Sequence, residues 1–219
     1  VLLPKMKANL GDNLSPLLTK MELEERISTD KKKGIDGHNP ANERTRQFKD
    51  SLLKAYGVRA EDSLPVNLDG LLMQEDEVYN NRVYDKHYGT VQQSIKKQNH
   101  ATALSSWINP FAFVRNLSMA LAGTDVYHHF DFTHQAENYR RTLISTMNEA
   151  QAYGGSKTGD WDWTVNADFW KKIDDFTYRK PSVLKALRSH TTEAAAFLAW
   201  LLLVLALIHF GSNKLSVHP

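Results

Sequence analysis

The 219-residue chain carries 27 basic and 25 acidic side chains, a formal net charge of +2. That balance lacks the basic footprint a nucleic-acid partner needs, so nucleic acid is excluded as the main partner. There is no cysteine, which excludes disulfides, thiolate metal sites and cysteine nucleophilic catalysis.

The opening Val1-Leu2-Leu3-Pro4, followed by Lys5 and Lys7, reads as the exit of an earlier membrane helix, so residues 1–4 are assigned to its end. Residues 5–188 follow as one polar, mostly α-helical domain, long enough to own a core. Between Lys20 and Thr29 the apolar Met21, Leu23 and Ile27 stand among charges and predict at most a short helix. Residues 31–40, KKKGIDGHNP, are a loop of turn formers. Asn42 to Tyr56 predicts an amphipathic helix with Phe48, Leu52, Leu53 and Tyr56 on one face, closed by Gly57 as a left-handed cap. An extended connector, 58–67, leads into a long helix over 69–105. Its apolar stripe is Leu72, Tyr79, Val83, Val91 and Ile95, and Gly89 weakens it by about 1 kcal/mol against Ala.

Asn109-Pro110 opens the next helix, 111–122, with Pro in the first turn. Phe111, Phe113, Val114, Leu117, Met119 and Leu121 make it apolar nearly all round. It is too short to span a bilayer comfortably and holds Arg115, so it fits a buried core helix or a membrane-surface helix. Gly123 ends it, and Thr124 or Asp125 caps a helix running to about Tyr153. Residues 157–178 are irregular and aromatic. Their Trp and Tyr suit a bilayer interface or packing onto the helical domain. Pro181 starts a final helix that runs through Leu187 into the last apolar run.

That run, Ala194 to Ile208, reads AAAFLAWLLLVLALI, without charge, Gly or Pro. Nine of its residues are Leu, Ile, Val or Phe, which favours insertion by about 3 to 5 kcal/mol. With its flanks it reaches the roughly 20 residues that span a bilayer, whereas a core helix usually keeps a polar face. Residues 189–211 are therefore expected to be a transmembrane helix and 212–219 a short tail. His209 lies near the far end, where it reaches the interface.

The densest polar cluster is Asp125, His128, His129, Asp131 and His134, residue types that bind zinc or another metal. On a helix, Asp125 and His129 share a face, while the step from His129 to His134 swings about 140° around the axis. One metal does not easily use them all, and no HExxH motif is present. The plainer reading is a capping Asp125 with hydrogen-bonded surface histidines. Glu137 with Arg141 is a favourable four-residue ion pair, and with Arg140 it can tie one helix to another. No G-x-S-x-G elbow marks a hydrolase, and no P-loop marks a nucleotide site.

Several phrases together carry a resemblance: Asp36-Gly-His38-Asn-Pro40, Tyr56-Gly-Val58, Leu64-Pro65-Val66-Asn67 and Asn109-Pro110. The most specific is Leu117-Ser-Met-Ala-Leu-Ala-Gly123-Thr-Asp125, with His128-His129, Phe132, Ala136-Glu-Asn-Tyr139-Arg140-Arg141 and Asn148 after it. Phe176-Thr-Tyr178 follows, then Pro181 and the apolar helix with Trp200. In this order they resemble the DUF3526 family of bacterial ABC-2-type transporter permeases. The resemblance implies a polytopic inner-membrane subunit with a large extracytoplasmic domain before its last membrane helix. It also implies a separate ABC ATPase subunit holding ATP and Mg, and a second permease subunit or a homodimer. A periplasmic partner for the domain fits the same picture. No catalytic residue, cofactor or metal ligand of this chain is implied.

Arg179, Lys180, Lys185 and Arg188 precede the last helix, and mainly Lys214 follows it. The positive-inside rule would place the domain in the cytoplasm, but long domains translocate largely regardless of charge. The family topology is therefore expected, with the domain outside and the C-terminus inside. Two other readings fit the residues: a single-pass anchored helical binding module, and a tethered metalloprotein using Asp125, His128, His129 or His134.

Overall fold

In the computed structural model, residues 20–160 and 162–212 are described. The expected end of a preceding helix at 1–4, the tail after Ser212 and Trp161 lie outside them. Among the described residues the fold is eight α-helices and one 3₁₀ turn, with no strand. In chain order these are α1 (Lys20–Lys31), α2 (Glu43–Tyr56), α3 (Leu68–Ser105), α4 (Pro110–Ala122), α5 (Val126–Tyr153), α6 (Ala167–Trp170), α7 (Val183–Arg188) and α8 (Thr191–Ser212). The mostly helical class expected from the sequence is what is observed.

The chain divides into two compact units. Unit I takes residues 94–136 and 178–212, and unit II takes 20–93 and 137–177. Helices α3 and α5 contribute to both.

In unit II the start of α3 is set by Asn67, which is fully buried. Its side-chain oxygen accepts from the amides of Asp69 (2.8 Å) and Gly70 (3.3 Å), the N-cap role that short polar side chains fill. Its side-chain nitrogen donates to Ser156 Oγ and to the Lys157 carbonyl, both at 2.8 Å. Its own amide donates to the Ala152 carbonyl at 2.9 Å. One residue thus caps α3 and fastens it to the end of α5. Gly70 permits that approach, because a Cβ there would lie 2.6 Å from the Ala152 backbone nitrogen. Leu68, Leu72, Val83 and Ala152 supply the buried apolar contacts.

Polar ties carry the rest of unit II. Tyr79 donates to the Asp30 carbonyl at 2.9 Å, and Lys33, Lys86 and His87 contact the Asp30 carboxylate. Hydrogen bonds from these side chains, Lys33 foremost, hold that carboxyl well below the usual range. Asn42 caps α2 by accepting from the Thr45 amide at 2.9 Å, and Gly57 closes it. Within this unit Phe176 of the aromatic segment meets Tyr139 at 5.5 Å between ring centres. Trp163 and Phe169 line a recess with Met73, Met147, Asn148 and Gln151.

In unit I, α4 packs along α7 and α8. Ala112, Ala120, Ala186 and Ala196 are buried there, and such small side chains let helices come close. Phe113 meets the ring of Phe197 edge-on at 5.4 Å.

The final helix differs from the sequence expectation. Instead of one rod from Pro181, Ser182 caps a short α7, a turn occupies 189–190, and α8 begins at Thr191. Ser189, His190, Thr191 and Thr192 are weaker helix formers than the Leu and Ala around them, and the His190 side chain is engaged elsewhere. Beyond this turn α8 is long and apolar enough to cross a membrane, yet only 6% of its most apolar stretch is buried. A core helix of a soluble protein would be mostly covered.

Candidate functional site

The site in unit I grows from the loop between α4 and α5. Gly123 adopts φ 74°, a left-handed conformation that closes α4 with its amide directed at the Ala120 carbonyl. Two residues later Asp125 caps α5. Its Oδ1 accepts from the His128 amide at 3.0 Å and lies against His128 Nδ1.

The other carboxylate oxygen reaches the turn between α7 and α8. Asp125 Oδ2 is 2.6 Å from His190 Nε2. The second ring nitrogen of His190 is 3.3 Å from Glu193 Oε1, in the first turn of α8. From α4, Asn116 donates to the same Glu193 oxygen at 3.3 Å, and Arg115 donates to Asn116 Oδ1. Tyr178 donates to the His128 carbonyl at 3.4 Å and stacks edge-on against Phe132. The result is a chain running Asn116–Glu193–His190–Asp125–His128 from the middle of α4 through the starts of α8 and α5.

Every member of that chain is buried: Glu193 is 2% exposed, His190 4%, Asp125 5%, and His128 and Asn116 7%. A buried charge is costly unless paired and hydrogen-bonded, and these groups supply one another's partners. Burial pushes the Asp125 carboxyl up. The His128 amide and the His128 and His190 rings outweigh it and hold the carboxyl below its ordinary value. His190 faces a carboxylate from each ring nitrogen. Only the doubly protonated ring donates to both, while a neutral ring donates to one. The arrangement can therefore hold α4, α5 and α8 together through groups that supply one another's hydrogen bonds.

Of the four metal candidates, Asp125 and His128 are brought together here. His129 and His134 are exposed on α5 and do not join them in burial. Among the described residues no group of three or more His, Cys, Asp or Glu is arranged to hold a metal ion. The carboxylates and imidazoles face each other instead of a shared centre.

Sequence reasoning missed His190 and Glu193. The available signal was a His-x-x-Glu pair at the threshold of a 15-residue apolar run, where ionisable side chains are rare and need partners.

The ion pairs Glu137, Arg140 and Arg141 do tie two helices, within unit II. Arg140 contacts Glu137 and donates to Asn81 at 2.7 Å, and it pairs with Glu77 at 3.0 Å. Arg141 grips Asp85 with both terminal nitrogens and donates to Glu137.

The family described as a domain of unknown function, DUF3526, matches residues 19–179. The chain belongs to the DUF3526 family. The DUF3526 match covers Asp125, His128 and the arginine ladder and stops before α7, so His190 and Glu193 lie past it. No curated protein matches the chain. No solved structure matches it either.

Proposed function

We propose that this chain is part of the permease subunit of a bacterial ABC-2-type transporter, with α8 its last membrane helix and the helical part outside the inner membrane. ATP hydrolysis belongs to a separate subunit, so the chain is not an enzyme. The observation that carries the reading is α8: 22 residues, apolar over its length, and uncovered beyond its first turns. The resemblance that runs from Leu117 to Arg141 adds the transporter class.

In this reading, motion driven by ATP elsewhere in the transporter reaches the helical part through α8. The break at 189–190 means that a rigid rod does not transmit it. The joint is the buried chain in which Glu193 on α8 and His190 beside it hold Asn116 of α4 and Asp125 of α5. Such a joint can pass a tilt of α8 to α4 and α5 while keeping its polar groups satisfied.

The test uses the full-length product of the gene that encodes this chain. Purified from its native host, it should bring down an ABC ATPase whose turnover the permease changes. Single cysteines at exposed Tyr153 and at Ser212, in a full-length background from which any other cysteine has been removed, should react with an impermeant maleimide in intact cells at 153 alone. A full-length product with α8 as its sole membrane helix and no ATPase partner would refute the proposal.

A further inference from the structure

The apolar surface of unit I does not end at α8. Helix α4 is apolar on two opposite faces, and the protein covers one of them. Ala112, Phe113, Asn116 and Ala120 form the buried face, turned to α7 and α8. On the far side Phe111, Val114 and Leu121 follow the three-, seven- and ten-residue steps of one helix stripe and stand 68%, 51% and 60% exposed. Just before α4, Ile108 is 85% exposed. In α7, Val183 and Leu184 are more than half exposed.

The packing against α8 fixes the depth of this surface. Phe113 meets Phe197, six residues into α8, or about 9 Å along its axis. Asn116 meets Glu193, in the first turn. Helix α4 therefore runs antiparallel to the first third of a helix about 33 Å long, its Phe111 end deeper than its Leu121 end. If α8 crosses a bilayer, α4 sits at the boundary between headgroups and acyl chains, the depth at which amphipathic helices bury their apolar face.

Charge identifies the lipid. Residues 107–124 and 179–192 contain no Asp or Glu, but they hold Arg115, Arg179, Lys180, Lys185 and Arg188, all exposed. Arg115 lies at the edge of the exposed stripe, about 40° from Phe111 around the helix, where its stem can rest on lipid while the guanidinium reaches a phosphate. Lys185 and Arg188 share α7 with Val183 and Leu184. Such cations are drawn to an anionic membrane surface.

We propose that α4 and α7 form an interfacial collar around the start of α8, with the Phe111–Val114–Leu121 stripe in the bilayer boundary and Arg115, Lys185 and Arg188 on anionic phospholipid headgroups. The proposal rests on the reading of α8 as a membrane helix.

The test separates the two. Spin labels on single cysteines at Phe111, Leu121, Leu205 and Tyr153 are placed in the whole chain, in nanodiscs with and without phosphatidylglycerol. Accessibility to oxygen and to a nickel chelate is then read. Leu205 reports the span and Tyr153 reports water. The collar predicts more oxygen access and less nickel access at 111 and 121 than at 153, with 121 shallower than 111 and 111 shallower than 205. It also predicts a deeper position with phosphatidylglycerol, lost in a Lys185→Glu, Arg188→Glu variant. Lipid access at 205 with nickel access at 111 and 121 overturns the collar and leaves the span standing. Nickel access at 205 overturns both. Protection of 111 and 121 from both reagents means a second copy or another helix covers the stripe, which also overturns the collar. Equal depth in both lipids overturns the headgroup assignment.

Discussion

Helix α5 carries two ionic clusters, and they are built from different materials. At its start, Asp125 joins His128, His190 and Glu193, all 7% exposed or less. Midway along, Glu137 joins Arg140 and Arg141, whose side chains are 41% and 25% exposed. The first cluster uses imidazoles in a place water barely reaches. The second uses guanidiniums, which stay charged, in a place water does reach. The same kind of pair therefore has different weight. Removing one partner of a buried pair strands the other, while removing one partner of a part-buried pair leaves the other within reach of water.

The largest effect that follows is Asp125→Ala. It takes away the α5 cap and leaves the His128 and His190 rings facing an empty acceptor position. We expect a loss of about 3 to 5 kcal/mol, read as a lower denaturation midpoint of the detergent-solubilised chain. Asp125→Asn keeps an N-cap oxygen and should lose less. A loss under about 1 kcal/mol for the alanine variant would place the first cluster in the same class as the second.

The next variant asks whether unit II depends on packing where unit I depends on its buried polar chain. Gly70→Val drives side-chain atoms into the Ala152 backbone, which cannot swing away as a flexible side chain does. The expected cost is about 2 to 3 kcal/mol, with faster hydrogen exchange at the Asn67 amide as α3 moves off α5. Unchanged exchange there would mean that Asn67, not the close approach, sets the contact.

What the sequence made readable follows from the range of each interaction. The helix ends at Gly57 and Gly123, the start at Asn109-Pro110 and the cap at Asp125 are signalled within a few residues, and the structure uses them. The pattern that defined α3, α4 and α5 is local in the same way. His190 and Glu193 find their partners 65 and 77 residues away, and nothing in their neighbourhood announces Asp125 or Asn116. The nearby histidines drew attention instead. His128 and His129 are adjacent in sequence, but the helix turns one inward and the other to solvent. The α7–α8 break was hidden because the helical pattern resumes within two residues.

Acid should act on both clusters in the same direction. Asp125 lies below its ordinary 3.8 despite burial, through its contacts with His128 and His190. Glu137 lies below its ordinary 4.5, chiefly through Arg140. For a depressed carboxyl, the stabilisation is complete above the unfolded value and is lost as pH falls through the folded one. Stability should therefore hold down to about pH 5 and decline below pH 4. In Asp125→Asn the decline should be shallower, measured as midpoint against pH. An unchanged slope would show that Asp125 binds its proton alike in both states.

The smallest effect separates the clusters most cleanly. A double-mutant cycle on Glu137 and Arg141 should give a coupling of about 0.3 to 1 kcal/mol, since the arginine is a quarter exposed and pays side-chain entropy to hold its geometry. Added salt should shrink it further, because exposed charges are screened over roughly 10 Å at 0.1 M. The same cycle on Asp125 and His190 should give a larger coupling with little salt dependence, because solvent ions do not enter the site. Both cycles have a partner at α5 and use one preparation, so detergent effects largely cancel. Equal couplings that fall together with salt would mean that burial is not what distinguishes them. The joint at the start of α8 would then have no more hold on that helix than a surface ion pair.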